Sequence, residues 1–330
     1  GSDPGVSNPC SWGFLDKESE RYQLQNISNC IPDHGKTSPI SRCYRNFLEN
    51  HGEMKITIWG CRGSLPAPGP EKSIYGGNTS CVQVSHKNTT LILDGGSGIQ
   101  RLGASLDPDT KEVNILLSHL HLDHIMGLGY FSPFYDPVYT INIWGPAGSN
   151  ESLVTRLRHY FSPPFFPVRL NELPAKINVT EIDNSTFKIG DLTVTSEYLC
   201  HPGPTVGFRC TDGSSVFVYI PDHEPALGSF DFRDPDWCSG YNLAKDADLL
   251  FHDGQYTGIE YEDKAGWGHC SIEDAIQFAS LAKVKKMVLF HHDPARTDLQ
   301  LQEIFRLIVL GKEPGFEVVP GKENEIFHLS

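Results

Sequence analysis

The sequence predicts an α/β protein in which two β-sheets are sandwiched between helices. Three observations carry that expectation. Short β-branched runs crowd the first part of the chain, strand and helix candidates alternate later, and metal-ligating residue types recur where apolar strands end. With 330 residues, 39% hydrophobic and 11% aromatic, the chain has material for one large α/β domain or two small ones.

Taken in order, residues 1–53 read as an N-terminal extension. They carry Pro4, Pro9, Pro32 and Pro39, three cysteines, and a single helical run at 41–50. Residues 54–330 hold the main domain. Its strands are expected at 55–59, 81–85 and 90–93, bounded by Gly, Asn and Asp, and then at 113–117, 139–144, 192–198, 216–220, 247–251 and 286–290. Ser271 is placed to cap a helix over 272–284, with Glu273 and Asp274 complementing its first-turn dipole. Thr297 caps a second over 298–310, closed by Gly311, and 152–160 is a third helical stretch.

Composition excludes several classes. No run approaches the ~18 apolar residues of a membrane span. The net charge of −14 comes without a basic stripe, which disfavours long nucleic acid as a partner. Nine cysteines without a CxxC pair suit reduced thiols in a cytoplasmic enzyme. A homodimer is compatible with all of this.

The densest chemistry is Ser118-His119-Leu120-His121-Leu122-Asp123-His124, directly after the strand at 113–117. Three imidazoles and a carboxylate this close cannot all be buried without partners. Alternation puts His119 and His121 on one side, as two ligands of one metal, while Asp123 and His124 turn towards a neighbour. Four later features place a polar residue after an apolar strand: His201, Asp222, His252-Asp253 and His291-His292-Asp293. His119, His121 and His201 would hold the first metal. Asp123, His124 and His291 would hold the second, with Asp222 bridging. Two divalent ions are therefore expected, zinc first, with manganese and iron also suited. About 3.5–4 Å apart, they would polarise a phosphoryl oxygen and deliver a bound hydroxide for in-line attack. His269, before the Ser271 cap, reads either as the leaving-group proton donor, oriented by Asp253, or as an ordinary loop histidine.

At these residues the chain resembles the metallo-β-lactamase superfamily. The His119-x-His121-x-Asp123-His124 run is similar to its signature, and Asp94 in Leu91-Ile92-Leu93-Asp94-Gly95-Gly96 to its supporting aspartate behind the ligands. The resemblance implies a four-layer αβ/βα sandwich. Within the superfamily, the phosphodiesterase and ribonuclease Z branch looks closest. Its opening motifs are similar to Gly76-Gly77-Asn78-Thr79-Ser80-Cys81, where Asn78 is a candidate substrate contact, and to residues 94–101. His252-Asp253-Gly254 resembles its His-Glu-Ala-Thr motif, with His252 in a supporting place and Asp253 for the usual glutamate. Gly268-His269-Cys270-Ser271 resembles its Gly-His-Ser-Thr motif. In that branch the carboxylate and histidine act together, which implies catalytic roles for Asp123, Asp253 and His269.

Between Met126 and His201 there is no Gly- and Lys-rich arm of the kind ribonuclease Z uses on transfer RNA. The expected activity is therefore hydrolysis of a small phosphodiester, such as a cyclic nucleotide, with ribonuclease Z-like RNA cleavage or thioester or lactone hydrolysis as alternatives. Of the adjacent histidines, His291 is expected to be the ligand. Arg209 and Arg296 are candidates for phosphate contacts or structural ion pairs. Phe131, Phe134, Tyr135, Phe161, Phe165 and Phe166 either line a base-stacking pocket or fill the core.

Overall fold

A computed structural model describes residues 52–225, 235–312 and 314–330. The helical run expected at 41–50, and all but the last two residues of the expected extension, lie outside the described residues. The rest forms two seven-stranded sheets.

The first sheet contains β1 (Met54–Gly60), β2 (Cys81–His86), β3 (Thr89–Leu93), β4 (Glu112–Leu116), β5 (Thr140–Pro146) and β6 (Lys176–Ile182), with the late strand β14 (Ile326–Leu329) beside β1. The second contains β7 (Ser185–Ile189), β8 (Leu192–Tyr198), β9 (Val206–Thr211), β10 (Val216–Ile220), β11 (Leu249–Asp253), β12 (Lys286–Phe290) and β13 (Glu317–Pro320). Strands β3 to β6 run parallel, as do β10 to β13, and the remaining pairs are antiparallel.

The layering follows from which faces are apolar. Met54, Ile56, Val82, Val84, Leu91 and Leu93 of the first sheet meet Val194, Phe208, Phe217, Phe251 and Phe290 of the second in one buried core. The outer face of the first sheet packs Ile92, Val113 and Ile115 against helices α1 (Ile99–Ala104) and α3 (Leu153–Tyr160); the short helix α2 (Leu122–Ile125) borders the same core. The outer face of the second packs Val218, Leu250 and Met287 against α4 (Tyr241–Ala244), α6 (Ile272–Leu281) and α7 (Asp298–Lys312), while α5 (Gly258–Tyr261) precedes α6. Helix, sheet, sheet, helix is thus a four-layer sandwich. Both sheets turn apolar residues to each other and to helices, which is why their central parallel strands read as largely apolar. Among the described residues, no helix is long and apolar enough to cross a membrane.

Five strands escaped sequence reading. The edge strands β6 and β7 alternate with polar, partly exposed residues, and β13 and β14 are four residues each. Strand β9 carries Gly207 and Arg209 inside it. One expected boundary also moves: β11 runs on through His252 and Asp253, so both lie in the strand and not beyond its end.

Candidate metal centre

The parallel strands of both sheets present their carboxyl ends to one edge, and the loops leaving that edge carry the polar residues. Ser118 to His124 follow β4, Asp222 follows β10, His291 follows β12, and His201 lies in the turn from β8 to β9. The Val206 amide donates to the Ser118 carbonyl at 2.9 Å, fastening that turn to the first sheet.

The side chains converge in two sets that share Asp222. His119, His121, His201 and Asp222 bring their ligand atoms within 4.8 Å of one another, and so do Asp123, His124 and His291. Asp222 Oδ2 lies 3.7 Å from both His119 Nε2 and His201 Nε2. Its other oxygen, Oδ1, lies 3.0 Å from His124 Nε2 and 3.4 Å from His291 Nε2. Asp123 Oδ2 is 3.1 Å from His291 Nε2 and 3.3 Å from His124 Nε2.

The outward nitrogens of the histidines are already committed. His124 Nδ1 donates to Asp94 Oδ2 at 2.7 Å, and His119 Nδ1 to Ser118 Oγ at 3.0 Å, whose hydroxyl donates onward to Asp94 at 2.8 Å. His201 Nδ1 donates to the Gly268 carbonyl at 2.7 Å, and His291 Nδ1 to Gln255 Oε1 at 3.0 Å. With those atoms committed, four Nε2 atoms face inwards and can offer lone pairs to a metal. His119 Nε2, His124 Nε2 and Asp222 Oδ1 are buried without a hydrogen-bond partner. Unpartnered acceptors around two carboxylates are what divalent cations satisfy, so the donor set fits two metals of the nitrogen- and oxygen-loving kind.

Burial opposes charge on His124, yet Asp222, Asp123 and Asp94 raise it well above the usual imidazole range, a positive charge where a metal would stand. Burial opposes ionisation of Asp222 and Asp123, yet the facing histidines hold both well below the usual carboxylate range. Burial likewise pushes His119 far below the usual imidazole range, leaving it a neutral ligand. Backbone geometry is also tuned. Asp94 and His291 adopt left-handed φ of 61° and 58°, and Gly63 must be glycine because a Cβ there would meet His291 Nδ1 at 2.3 Å.

Beside the cluster, His269 Nδ1 donates to Asp253 Oδ2 at 2.7 Å and stands 3.9 Å from Asp222 Oδ2. His269 also groups with Asp222 and His291 as a possible ligand. Its Nδ1 is occupied by Asp253, so Nε2 is the atom left to meet a substrate. Burial works against the charged ring, but Asp253, joined by Asp222 and Asp123, raises His269 to about 9. His252 lies behind, its Nδ1 on the Asp253 carbonyl at 2.8 Å and its Nε2 accepting from His223 Nδ1 at 2.9 Å. Burial lowers His252 to about 4. The neighbouring His292 faces away from the cluster, with Nε2 on the Gly321 carbonyl at 2.9 Å.

Three candidates are not brought to the cluster by their side chains. Arg209 donates to the carbonyls of Leu243 and Lys245 at 2.6 and 2.8 Å, tying β9 to the end of α4. Arg296 donates to the Gln255 carbonyl at 2.6 Å and pairs with Glu260. Asn78 is engaged by Glu323 and Ser97. Of the aromatics, Phe131, Phe134, Phe161 and Phe166 are core residues, while Tyr135 and Phe165 are exposed. Sequence reading passed over Gln255, Ser118 and Ser64, whose amide donates to Asp123 Oδ2 at 2.7 Å. Gln255 and Ser118 adjoin motifs visible in the sequence, but nothing in their residue type marked them as supports.

Comparison with known proteins agrees with this architecture. A family model described as a beta-lactamase superfamily domain matches residues 92–292. The ribonuclease Z of Thermococcus gammatolerans is 26% identical over 266 residues, covering 65% of this chain and 78% of its own. The Bacillus subtilis metallo-β-lactamase fold protein YhfI superposes with a TM-score of 0.60 at 20% identity, over 84% of this chain and all of that one (100%). A diphosphatase of the PhnP family superposes at 0.59 and 16% identity, over 84% and 98% of the two chains. The two structural likenesses speak to the fold.

Proposed function

The chain belongs to the metallo-β-lactamase superfamily and is a metal-dependent hydrolase, and from that premise we propose that it is a phosphodiesterase acting on a small phosphodiester, a cyclic nucleotide first among them. One observation carries the reading: the His269–Asp253 pair, at 2.7 Å, stands at the edge of a cluster with places for two metals.

When bound, two divalent ions, zinc first, supply Lewis acidity and lower the pKa of water. His119, His121, His201 and Asp222 would hold one, and Asp123, His124, His291 and Asp222 the other. Asp253 accepts the His269 Nδ1 proton, which fixes the ring and keeps a proton on Nε2. From there His269 protonates the departing oxygen, a step an alkoxide needs and a thiolate or an aryloxide does not. That favours phosphodiesters over thioesters. The likeness to ribonuclease Z supports RNA cleavage as the second reading. Against it stand the net charge of −14 and a segment 126–201 taken up by strands and helix of the sandwich.

The test is metal analysis of protein purified without chelator, alongside hydrolysis of bis(p-nitrophenyl) phosphate, 3′,5′- and 2′,3′-cyclic nucleotides, and precursor transfer RNA. Two metals per chain with cyclic-nucleotide turnover is the expected result. Cleavage of precursor transfer RNA alone would move the assignment to the second reading, and absence of bound metal after supplementation would overturn both.

A further inference from the structure

Glu224 is a fully buried carboxylate, 1% exposed, two residues beyond Asp222. Its amide donates to the Cys200 carbonyl at 2.9 Å, which ties it to the residue before His201. Its side chain reaches in the other direction. Oε1 accepts from the Tyr261 hydroxyl at 2.6 Å and the Gly266 amide at 2.7 Å, and Oε2 accepts from the Gly268 amide at 2.8 Å. Gly266 and Gly268 adopt φ of +86° and +89°, a left-handed geometry in which both amides turn to one carboxylate. The turn also packs hard on His201, since a Cβ on Gly268 would meet its Nδ1 at 2.4 Å.

What the turn delivers is chemistry at two neighbouring points. The Gly268 carbonyl receives the His201 Nδ1 proton at 2.7 Å, and the next residue is His269, held by Asp253. A loop without such duties could be closed by water or apolar packing, at less cost than burying a carboxylate. Resting on the phosphodiesterase reading above, we propose that Glu224 is the positioning residue for leaving-group protonation. Through the Gly266 and Gly268 amides it holds His269 Nε2 within reach of the departing oxygen.

The test compares Glu224→Ala and Glu224→Gln with wild type in the zinc-loaded full chain. Two esters are used: bis(p-nitrophenyl) phosphate, whose leaving group needs no proton, and a 3′,5′-cyclic nucleotide, whose leaving group does. In Glu224→Ala, kcat on the cyclic nucleotide should fall by roughly a hundredfold, the lower end of what a general acid contributes, and kcat on the aryl ester by far less. Combined with His269→Ala, the substitution should add nothing further on the cyclic nucleotide, because both act on one step. Equal losses on the two esters, or losses that add, would overturn the proposal.

A second readout does not depend on turnover. The His269 Nδ1–H resonance, bonded to Asp253, should be visible in the wild type and lost in Glu224→Ala, while that of His124, bonded to Asp94, persists. Retention of both resonances sinks the proposal. Loss of both would mean a misfolded variant, and the same comparison in Glu224→Gln then decides. If wild type cleaves neither ester, the phosphodiesterase reading falls and the resonance alone judges Glu224.

Discussion

At Asp222 each carboxylate oxygen faces a different pair of histidines, so one side chain serves both sets of ligands. Asp222→Ala should therefore lose both metals and all turnover, as read by elemental analysis and hydrolysis assay; a variant retaining two ions would show that the bridge is dispensable. His269 makes the opposite prediction. His269→Ala should keep normal metal content while kcat on an alkyl phosphodiester falls by roughly 10²–10⁴-fold. The pH dependence has a definite sign. The His269 pKa stands above the ordinary imidazole value, at about 9, so the ring is charged at neutral pH and the donor is lost as pH rises through that value. Bound divalent ions lower that limit by repelling the imidazolium. In either case Asp253→Asn removes the charge that raises it, so the alkaline limb of the kcat profile should move to lower pH. An unmoved limb would take His269 out of proton transfer. The placement of the histidines and aspartates was legible because such residues rarely cluster behind apolar strands without cause. Gln255, Ser118 and Ser64 were not, since amides and hydroxyls occur throughout the chain and only the fold reveals which ones back a ligand. For Arg209 and Arg296 sequence left two roles open, since the same donors suit a phosphate or a backbone carbonyl, and the fold engages both with carbonyls.

Elements were legible in proportion to how completely they are buried. The strands β4, β10 and β12 sit inside their sheets, covered on both faces, and their sequences are mostly apolar, with Asn114 the one polar interior residue of β4. The edge strands β6 and β7 have an exposed flank and read as polar loops. Helices α6 and α7 were visible through their caps, Ser271 accepting from the Asp274 amide and Thr297 from that of Gln300. The very short α2, α4 and α5 hold too few residues to show a period. Between the sheets, Phe251 has no exposure and meets the rings of Phe217, Phe290 and Phe327. Phe251→Ala should cost about 3–5 kcal/mol in urea unfolding with an unchanged m value. A cost below about 1 kcal/mol would mean that the core collapses around the gap.

Seen as a whole molecule, the candidate ligands divide between the halves of the sandwich. His119, His121, Asp123 and His124 come from the first sheet, while His201, Asp222 and His291 come from the second. Metals held there would join the sheets as the inter-sheet core does. Anything that binds the folded chain alone stabilises it by mass action, about 4 kcal/mol per ion at a thousandfold excess over Kd. Chelation should therefore lower Tm, by calorimetry, and restored zinc should return it; an unchanged Tm would place the ions outside the folded framework.

That division also sets an order of events in time. His124 and His291 lie 167 positions apart in the chain and share one ligand set only once both sheets exist and have docked. A growing chain thus has no finished pocket to load, and the ions can enter only at the close of folding. Contacts made last slow escape from the native state without hastening arrival. Zinc should accordingly lengthen the unfolding half-life while leaving the refolding rate where it was, making the metals a latch fastened after the door has shut.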